Sequence, residues 1–362
     1  MAALARISHP GSGRDLVAGG HVQNVEVDEG GTARFQFLLR PEDPGDLVKQ
    51  ARAAVEALEG IADVKINVQL PQMAPSSGGQ GGGGGRRGGL RPGSVPAPTP
   101  KPGILPEVRH VIAVSSGKGG VGKSMVAANL AAAMALRGLK VGLLDADIYG
   151  PNIPLMFGVS QRPSVTGEKG KELIEPLEAH GVRLMSLGFL LDKEQPAIMR
   201  GPLISGVLKQ FLEQVDWGAL DVMVVDMPPG TGDAQLSLVQ TIDLDGAVMV
   251  TTPQDVATGD VRRGVKMFER VNARVLGIVE NMSGLACPHC GESIDVFGAG
   301  GGEALAGEMK LPFLGRVPLD PAVRKAGDEG APTVVSAPDS PAGAALEAVT
   351  SEVLEALSAL VP

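Results

Sequence analysis

The octapeptide Gly117-Lys118-Gly119-Gly120-Val121-Gly122-Lys123-Ser124 restricts this chain more than any other stretch. Its glycines let the backbone curl until successive N–H groups point at one spot. An apolar run from Val111 to Ser115 precedes it and a helical pattern follows, so the loop joins a strand to a helix N-terminus. Backbone donors and the positive end of a helix together make an anion site. In a loop of this kind Lys123 reaches the β- and γ-phosphates of ATP, and Ser124 holds Mg²⁺.

The same residues also spell Gly-x-Gly-x-x-Gly, the dinucleotide fingerprint, and Asp145 falls 23 residues after Gly122, near the spacing that fingerprint wants. Two features decide for the phosphate loop. Lys123-Ser124 has no role in a dinucleotide turn. A second apolar strand, Val222 to Val225, ends in Asp226, where a Walker B aspartate belongs.

Around the loop, short apolar runs alternate with helical segments: Val111 to Ser115, Val141 to Asp145, Val222 to Asp226, Ala247 to Thr251 and Val275 to Glu280. Such runs are strands buried on both sides, which predicts an α/β fold with a mostly parallel sheet covered by helices on both faces. Residues 342–360 predict a closing amphipathic helix with Leu346, Val349, Val353, Leu357 and Leu360 on one side. This unit is expected over 106–362. Before it, 73–105 is a Gly/Pro-rich stretch containing Gly81 to Gly85 and Arg86-Arg87, read as a solvated tether in preference to a nucleic-acid tail built on Arg86, Arg87 and Arg91. Residues 1–72 carry alternating strand patterns at 21–27 and 32–39, a helix at 44–58 and a strand at 64–70, a small α+β module.

Net charge is −9 and aromatics are 3%, which argues against a nucleic-acid partner. No apolar stretch reaches the length of a membrane span and no secretory signal is visible, so the expectation is a cytoplasmic protein with no membrane partner. The two cysteines, Cys287 and Cys290, stand in Cys-Pro-His-Cys-Gly. In a cytosolic chain such a pair reads as metal or redox ligands. Metal centres built on cysteine usually want four ligands. One chain therefore offers half a site, and a two-fold homodimer offers a whole one. A shared 4Fe-4S cluster, a shared zinc and a dithiol redox centre all fit the pair.

Lys118, at the second position of the loop, marks the deviant Walker A class, and here the chain resembles the ATPases of the MinD/ParA/nitrogenase-iron-protein group. The resemblance implies that Lys118 reaches the partner's nucleotide across a homodimer. It implies that Asp147 orients the attacking water, with Asp145 near Mg²⁺. Asp226 would hold Mg²⁺ through water, the Gly230 N–H would sense the γ-phosphate, and Asn281, placed after a strand, would bind adenine.

More closely, the chain resembles the Mrp/ApbC family of iron–sulfur cluster carrier ATPases. The matching text is Val114-Ser115-Ser116 with the loop, Asp145-Ala146-Asp147-Ile148-Tyr149-Gly150-Pro151, Asp226-Met227-Pro228-Pro229-Gly230-Thr231-Gly232-Asp233, Thr252-Pro253-Gln254, Glu280-Asn281-Met282-Ser283 and the cysteine pair. Residues 1–72 resemble the small iron–sulfur assembly domain of many bacterial members. This implies a 4Fe-4S cluster held by Cys287 and Cys290 between two subunits, slow Mg²⁺-dependent ATP hydrolysis, apo iron–sulfur proteins as clients and cluster scaffold proteins as further partners. Two departures stand out. Met125 replaces the family's usual threonine, removing a hydroxyl from the α-phosphate. Arg40 to Pro44 lacks the cysteine often found in that loop. The competing functions are a MinD/ParA-like positioning ATPase and a zinc-stapled regulatory ATPase. The acidic Glu347, Glu352 and Glu355 of the last helix suit neither a membrane tail nor a DNA-binding surface.

Overall fold

The computed structural model describes residues 3–7, 9, 14–27, 30–38, 47–58, 60–61, 63–69, 104–148, 150–167, 172–190, 201–287 and 289–359. They divide into two compact units, 1–91 and 92–362. The tether expected at 73–105 lies outside the described residues up to 103.

In the first unit, β1 (Val22–Val27) pairs antiparallel with β2 (Thr32–Leu38), and β3 (Asp63–Gln69) joins β2 in parallel after helix α1 (Leu47–Glu56). Strand β2 buries every second residue, Ala33, Phe35 and Phe37. Leu47, Ala51 and Val55, spaced one helical turn apart on α1, share their core. This is the α+β module the patterning predicts.

The second unit runs β4 (Val108–Ser116), α2 (Lys123–Leu136), β5 (Val141–Asp145), α3 (Ile153–Met156), β6 (Val165–Thr166), β7 (Leu173–Ile174), β8 (Leu177–Ala179), β9 (Val182–Ser186) and α4 (Gly201–Glu213). It continues with β10 (Leu220–Asp226), α5 (Asp233–Thr241), β11 (Gly246–Thr251), α6 (Asp255–Arg270), β12 (Val275–Ala286) and β13 (Ser293–Ile294). The chain closes through α7 (Gly301–Met309), β14 (Phe313–Leu319), α8 (Pro321–Glu329), α9 (Thr333–Ser336) and α10 (Pro341–Ser358). Among the described residues nine strands form one sheet in the order β13-β12-β11-β4-β10-β5-β9-β8, with β14 on β12. Within that sheet, among the described residues, only the short strands β8 and β13 pair antiparallel; β6 and β7 form a separate antiparallel pair.

Crossovers between parallel strands are right-handed because a right-twisted strand and helix pack back onto the sheet only that way. The connection β4-α2-β5 travels one way across the sheet, while β10-α5-β11 and β11-α6-β12 travel the other. Helix α2 therefore lies on one face and α5 and α6 on the opposite one. Helix α2 is buried almost all round, from Val126 through Met134, under α10 and against β4, β5 and β10. Small residues on α2 (six alanines in fourteen positions) permit that close approach. Helix α10 buries Leu346, Val349, Val353 and Leu357 as its spacing predicts, while Leu360 lies outside the described residues. Trp217 is buried as well, its indole N–H donating to the Phe211 carbonyl at 2.9 Å.

Parallel register sets the site. Asp226 at the end of β10 is opposite Asp145 at the end of β5, and Asp145 is opposite Ser186 of β9. Three polar residues thus line up at the C-terminal edge of the sheet, outside which ligands of open α/β folds bind.

Candidate functional site

The phosphate loop leaves β4 at Ser116 and enters α2 at Lys123. Gly120 (φ 80°) and Gly122 (φ 85°) are left-handed, a conformation that disfavours side chains. Gly117 needs to be glycine for a different reason: a Cβ there would stand 2.2 Å from the Asp260 backbone of α6. The Lys118 carbonyl accepts the Ser116 hydroxyl at 2.9 Å. The Lys118 side chain is half-buried and has no partner among the described residues. Gly119 is exposed, Val121 is buried, and the Val121 carbonyl accepts the Asn281 amide at 2.8 Å.

Lys123 is 5% exposed, with its ammonium 2.6 Å from Asp226 Oδ1, 3.6 Å from Asp147 Oδ2 and 3.2 Å from Ser124 Oγ. Asp226 Oδ2 is buried without a hydrogen-bond partner. An orphaned carboxylate oxygen beside a serine hydroxyl suits a hard, oxygen-seeking cation such as Mg²⁺ or its bound water. Burial raises the Asp226 carboxyl above the usual range, and the Lys123 charge opposes that shift.

Asp145 accepts from the Asp147 N–H at 3.1 Å, from Ser186 Oγ at 2.9 Å and from the Ile153 N–H at 3.3 Å. Burial, and then the charge of Asp226, push its carboxyl up to about 8. A raised carboxyl binds its proton more tightly in the folded state. Its contribution to stability is therefore present in full below the ordinary carboxylate range and is lost as pH rises through about 8. One proton changes the slope by at most about 1.4 kcal/mol per pH unit. In metal-free buffer, the wild type should unfold at progressively lower urea between pH 5 and pH 8 relative to Asp145→Asn. Parallel profiles for the two proteins would rule this out.

Gly230 (φ 92°) follows β10, and its N–H donates to the Ser116 carbonyl at 3.0 Å. It stands beside the loop, but its donor is already engaged there. Asn281 requires a correction of place. The sequence puts it after a strand, whereas β12 continues through it to Ala286, and it is 2% exposed. Alternation is broken by Met282 (φ 58°) and Gly284 (φ 70°), which bend the strand without ending it.

The extension of β12 carries the cysteines. Beyond Ala286 the Cys287 N–H donates to the Glu292 carbonyl, and the Gly291 N–H donates to the Cys287 carbonyl, each at 2.8 Å. Gly291 (φ 74°) closes the turn. Cys287 is half-buried and Cys290 exposed, and both thiols are free. Hydrogen bonds from the His289 backbone, and then from Cys290, lower the Cys287 thiol below its ordinary value, favouring the thiolate that binds metals. No group of three or more His, Cys, Asp or Glu side chains arranged for a metal occurs among the described residues. No described helix is long and apolar enough to cross a membrane.

Sequence reasoning missed three buried polar residues. Ser186 is set by strand register. Gln235 donates to Ser115 Oγ from α5 and leaves its own Oε1 without a partner. Glu280, quoted only as part of a matching string, is fully buried.

Fold and loop together define a P-loop NTPase of the MinD/ParA type. Residues 107–354 match the family described as NUBPL iron-transfer P-loop NTPase, and residues 1–68 match the family described as iron-sulfur cluster assembly protein. The chain belongs to the NUBPL iron-transfer P-loop NTPase family. It is 42% identical over 360 residues to the iron-sulfur cluster carrier protein of Synechocystis sp., covering 98% of this chain and 95% of that one. Among solved structures it is similar to a nucleotide-binding protein from Archaeoglobus fulgidus in complex with ADP. That match has a TM-score of 0.56 and 42% identity, and covers 63% of this chain and 88% of the other. The Pyrococcus furiosus cell division ATPase MinD follows at TM-score 0.52 and 26% identity, over 68% and 98% of the two chains.

Proposed function

We propose that this chain is an ATP-hydrolysing carrier that holds a 4Fe-4S cluster between two copies of itself and passes it to apo-proteins. One observation carries the reading: a single strand links the two chemistries. Strand β12 touches the phosphate loop through Asn281 and, six residues on, presents Cys287. The relative named an iron-sulfur cluster carrier protein supports the cargo, and the neighbour in complex with ADP supports the nucleotide.

In this reading Gly117 to Gly122 cradle the phosphates with backbone N–H groups, and Lys123 turns from its carboxylate partners toward the β- and γ-phosphates. Ser124 and Asp226 would hold Mg²⁺, which neutralises charge on the phosphates when bound. Asp147 orients the attacking water, and Asp145 holds Asp147 in place through its N–H. The Gly230 N–H exchanges the Ser116 carbonyl for the γ-phosphate, and Asn281 meets the adenine. Lys118, without a partner among the described residues, serves the nucleotide of the second copy. Cys287 and Cys290 each give one thiolate, and the second copy gives two more. Residues 1–72 form the assembly-type domain, 73–105 the tether and 106–362 the ATPase. Clients are apo iron–sulfur proteins, scaffold proteins supply the cluster, and the protein works in the cytoplasm without nucleic acid or membrane.

Metal content of protein purified and reconstituted without oxygen tests the proposal. Four thiolates from two chains should hold about four irons per dimer. About one zinc per dimer and no iron would replace the carrier with a zinc-stapled ATPase.

A further inference from the structure

Glu280 is a buried carboxylate that the nucleotide chemistry does not use. Its Oε1 accepts from Ser283 Oγ at 2.5 Å and from the Gly300 N–H at 2.8 Å, and its Oε2 accepts from the Gly302 N–H at 2.5 Å. Arg316, its register partner on β14, brings Nε to 3.7 Å. A charge this deep is tolerated only when paired and hydrogen-bonded, so these bonds fix where their donors can be.

The donors come from two places along the chain. Ser283 lies where β12 departs toward Cys287, and Gly300 and Gly302 lie where the chain returns to open α7. One carboxylate therefore ties both stems of the excursion that carries Cys287 and Cys290. The returning stem is fitted closely to it. A Cβ on Gly302 would stand 3.0 Å from Glu280 Cβ and 3.0 Å from Thr251 Cγ2, and one on Gly301 would stand 2.0 Å from the Pro253 carbonyl oxygen. Between the stems, Met282 and Gly284 are left-handed, so the departing strand bends just beyond the carboxylate. The next residue, Asn281, points the other way, as strand neighbours do, and donates to Val121 of the phosphate loop.

We propose that Glu280 is a positioning residue for the cysteine pair: it clamps the stems of the cysteine loop one residue from the phosphate-loop contact and so makes thiol placement follow the loop. This rests on the carrier reading for what the thiols hold, though not for how they are placed.

The full chain is compared with Glu280→Ala and Glu280→Gln in three assays. Iron retention against a chelator is followed after anaerobic reconstitution. The iodoacetamide reaction rate of the iron-free thiols is measured with and without MgATP. MgATP hydrolysis is the third. Residues that orient metal ligands from behind are typically worth about 10- to 100-fold in metal affinity. Glu280→Ala should lose iron about tenfold faster, and MgATP should no longer change its alkylation rate, while hydrolysis stays near wild type. Glutamine keeps an oxygen for Ser283 and Gly300 but cannot accept from Gly302, so Glu280→Gln should recover part of both losses. If Glu280→Ala does not fold, Ser283→Ala, which removes one stem bond, should show the same two losses in smaller measure. Wild-type iron retention and an intact MgATP response in the variants would overturn the proposal. So would a fall of all three readouts together with the melting temperature, the mark of a residue that serves only the fold. A wild type that takes up no iron sinks the carrier reading, while the alkylation response still decides the clamp.

Discussion

Lys123→Ala should abolish ATP turnover. The ammonium is nearly buried between Asp226 and Asp147, at the mouth of the glycine-rich loop proposed to cradle phosphate. A positive group in such a partly dry site stabilises the charge that shifts onto the phosphates in the transition state, and losing one donor or cation of this kind costs about 3–4 kcal/mol, or 10²–10³ in rate. The same change leaves two carboxylates without their counter-ion, so the variant should also melt lower. Phosphate release from MgATP, measured beside a thermal scan, separates the two effects. Turnover at the wild-type rate by a folded variant would remove Lys123 from the phosphate site. Lys118→Ala should differ in kind: ATP still binds, because in the proposed dimer Lys118 serves the nucleotide of the second copy rather than its own, but hydrolysis drops.

Cys287→Ala should abolish cluster binding outright. Two copies of the variant keep two thiolates between them, half the number such a cluster takes. Absorption near 400 nm, typical of cysteine-ligated iron–sulfur centres, should be missing after anaerobic reconstitution, and iron should fall to background. Cys290→Ala should match it. Hydrolysis should survive at least in part, because the thiols sit beyond the end of β12, outside the phosphate loop. A variant that keeps its iron would place the cluster elsewhere on the chain. Cys287 carries the lowered thiol, so at neutral pH it should also be the faster of the two to alkylate in the iron-free wild type.

The legible parts of this molecule were local ones. A glycine-rich string between an apolar run and a helical pattern declares its backbone shape within eight residues, and β4, β5, β10 and β11 announce themselves as unbroken apolar runs. The cysteine pair was equally plain. What stayed hidden was made by register or by return of the chain. Ser186 reaches Asp145 only because β9 pairs with β5, across 41 residues of sequence. Gly300 and Gly302 reach Glu280 only after the cysteine excursion closes. The course of β12 past Asn281 was hidden for another reason. Met282 and Gly284 take left-handed conformations that interrupt the two-residue period by which strands are recognised.

The buried indole of Trp217 has a practical consequence. It is the chain's one tryptophan, and the one tyrosine, Tyr149, falls in the same compact unit. The first unit, residues 1–91, has neither. Intrinsic fluorescence excited at 295 nm will therefore follow the melting of the P-loop unit, 92–362, and stay blind to the other. A single smooth fluorescence transition would say nothing about whether the two units unfold together, a condition for treating the chain as two-state. For the Asp145 titration that selectivity helps, since every photon comes from the unit that contains the carboxylate. For any claim about the first unit, the signal has to come from elsewhere, such as far-ultraviolet dichroism or a tryptophan introduced beside Phe37.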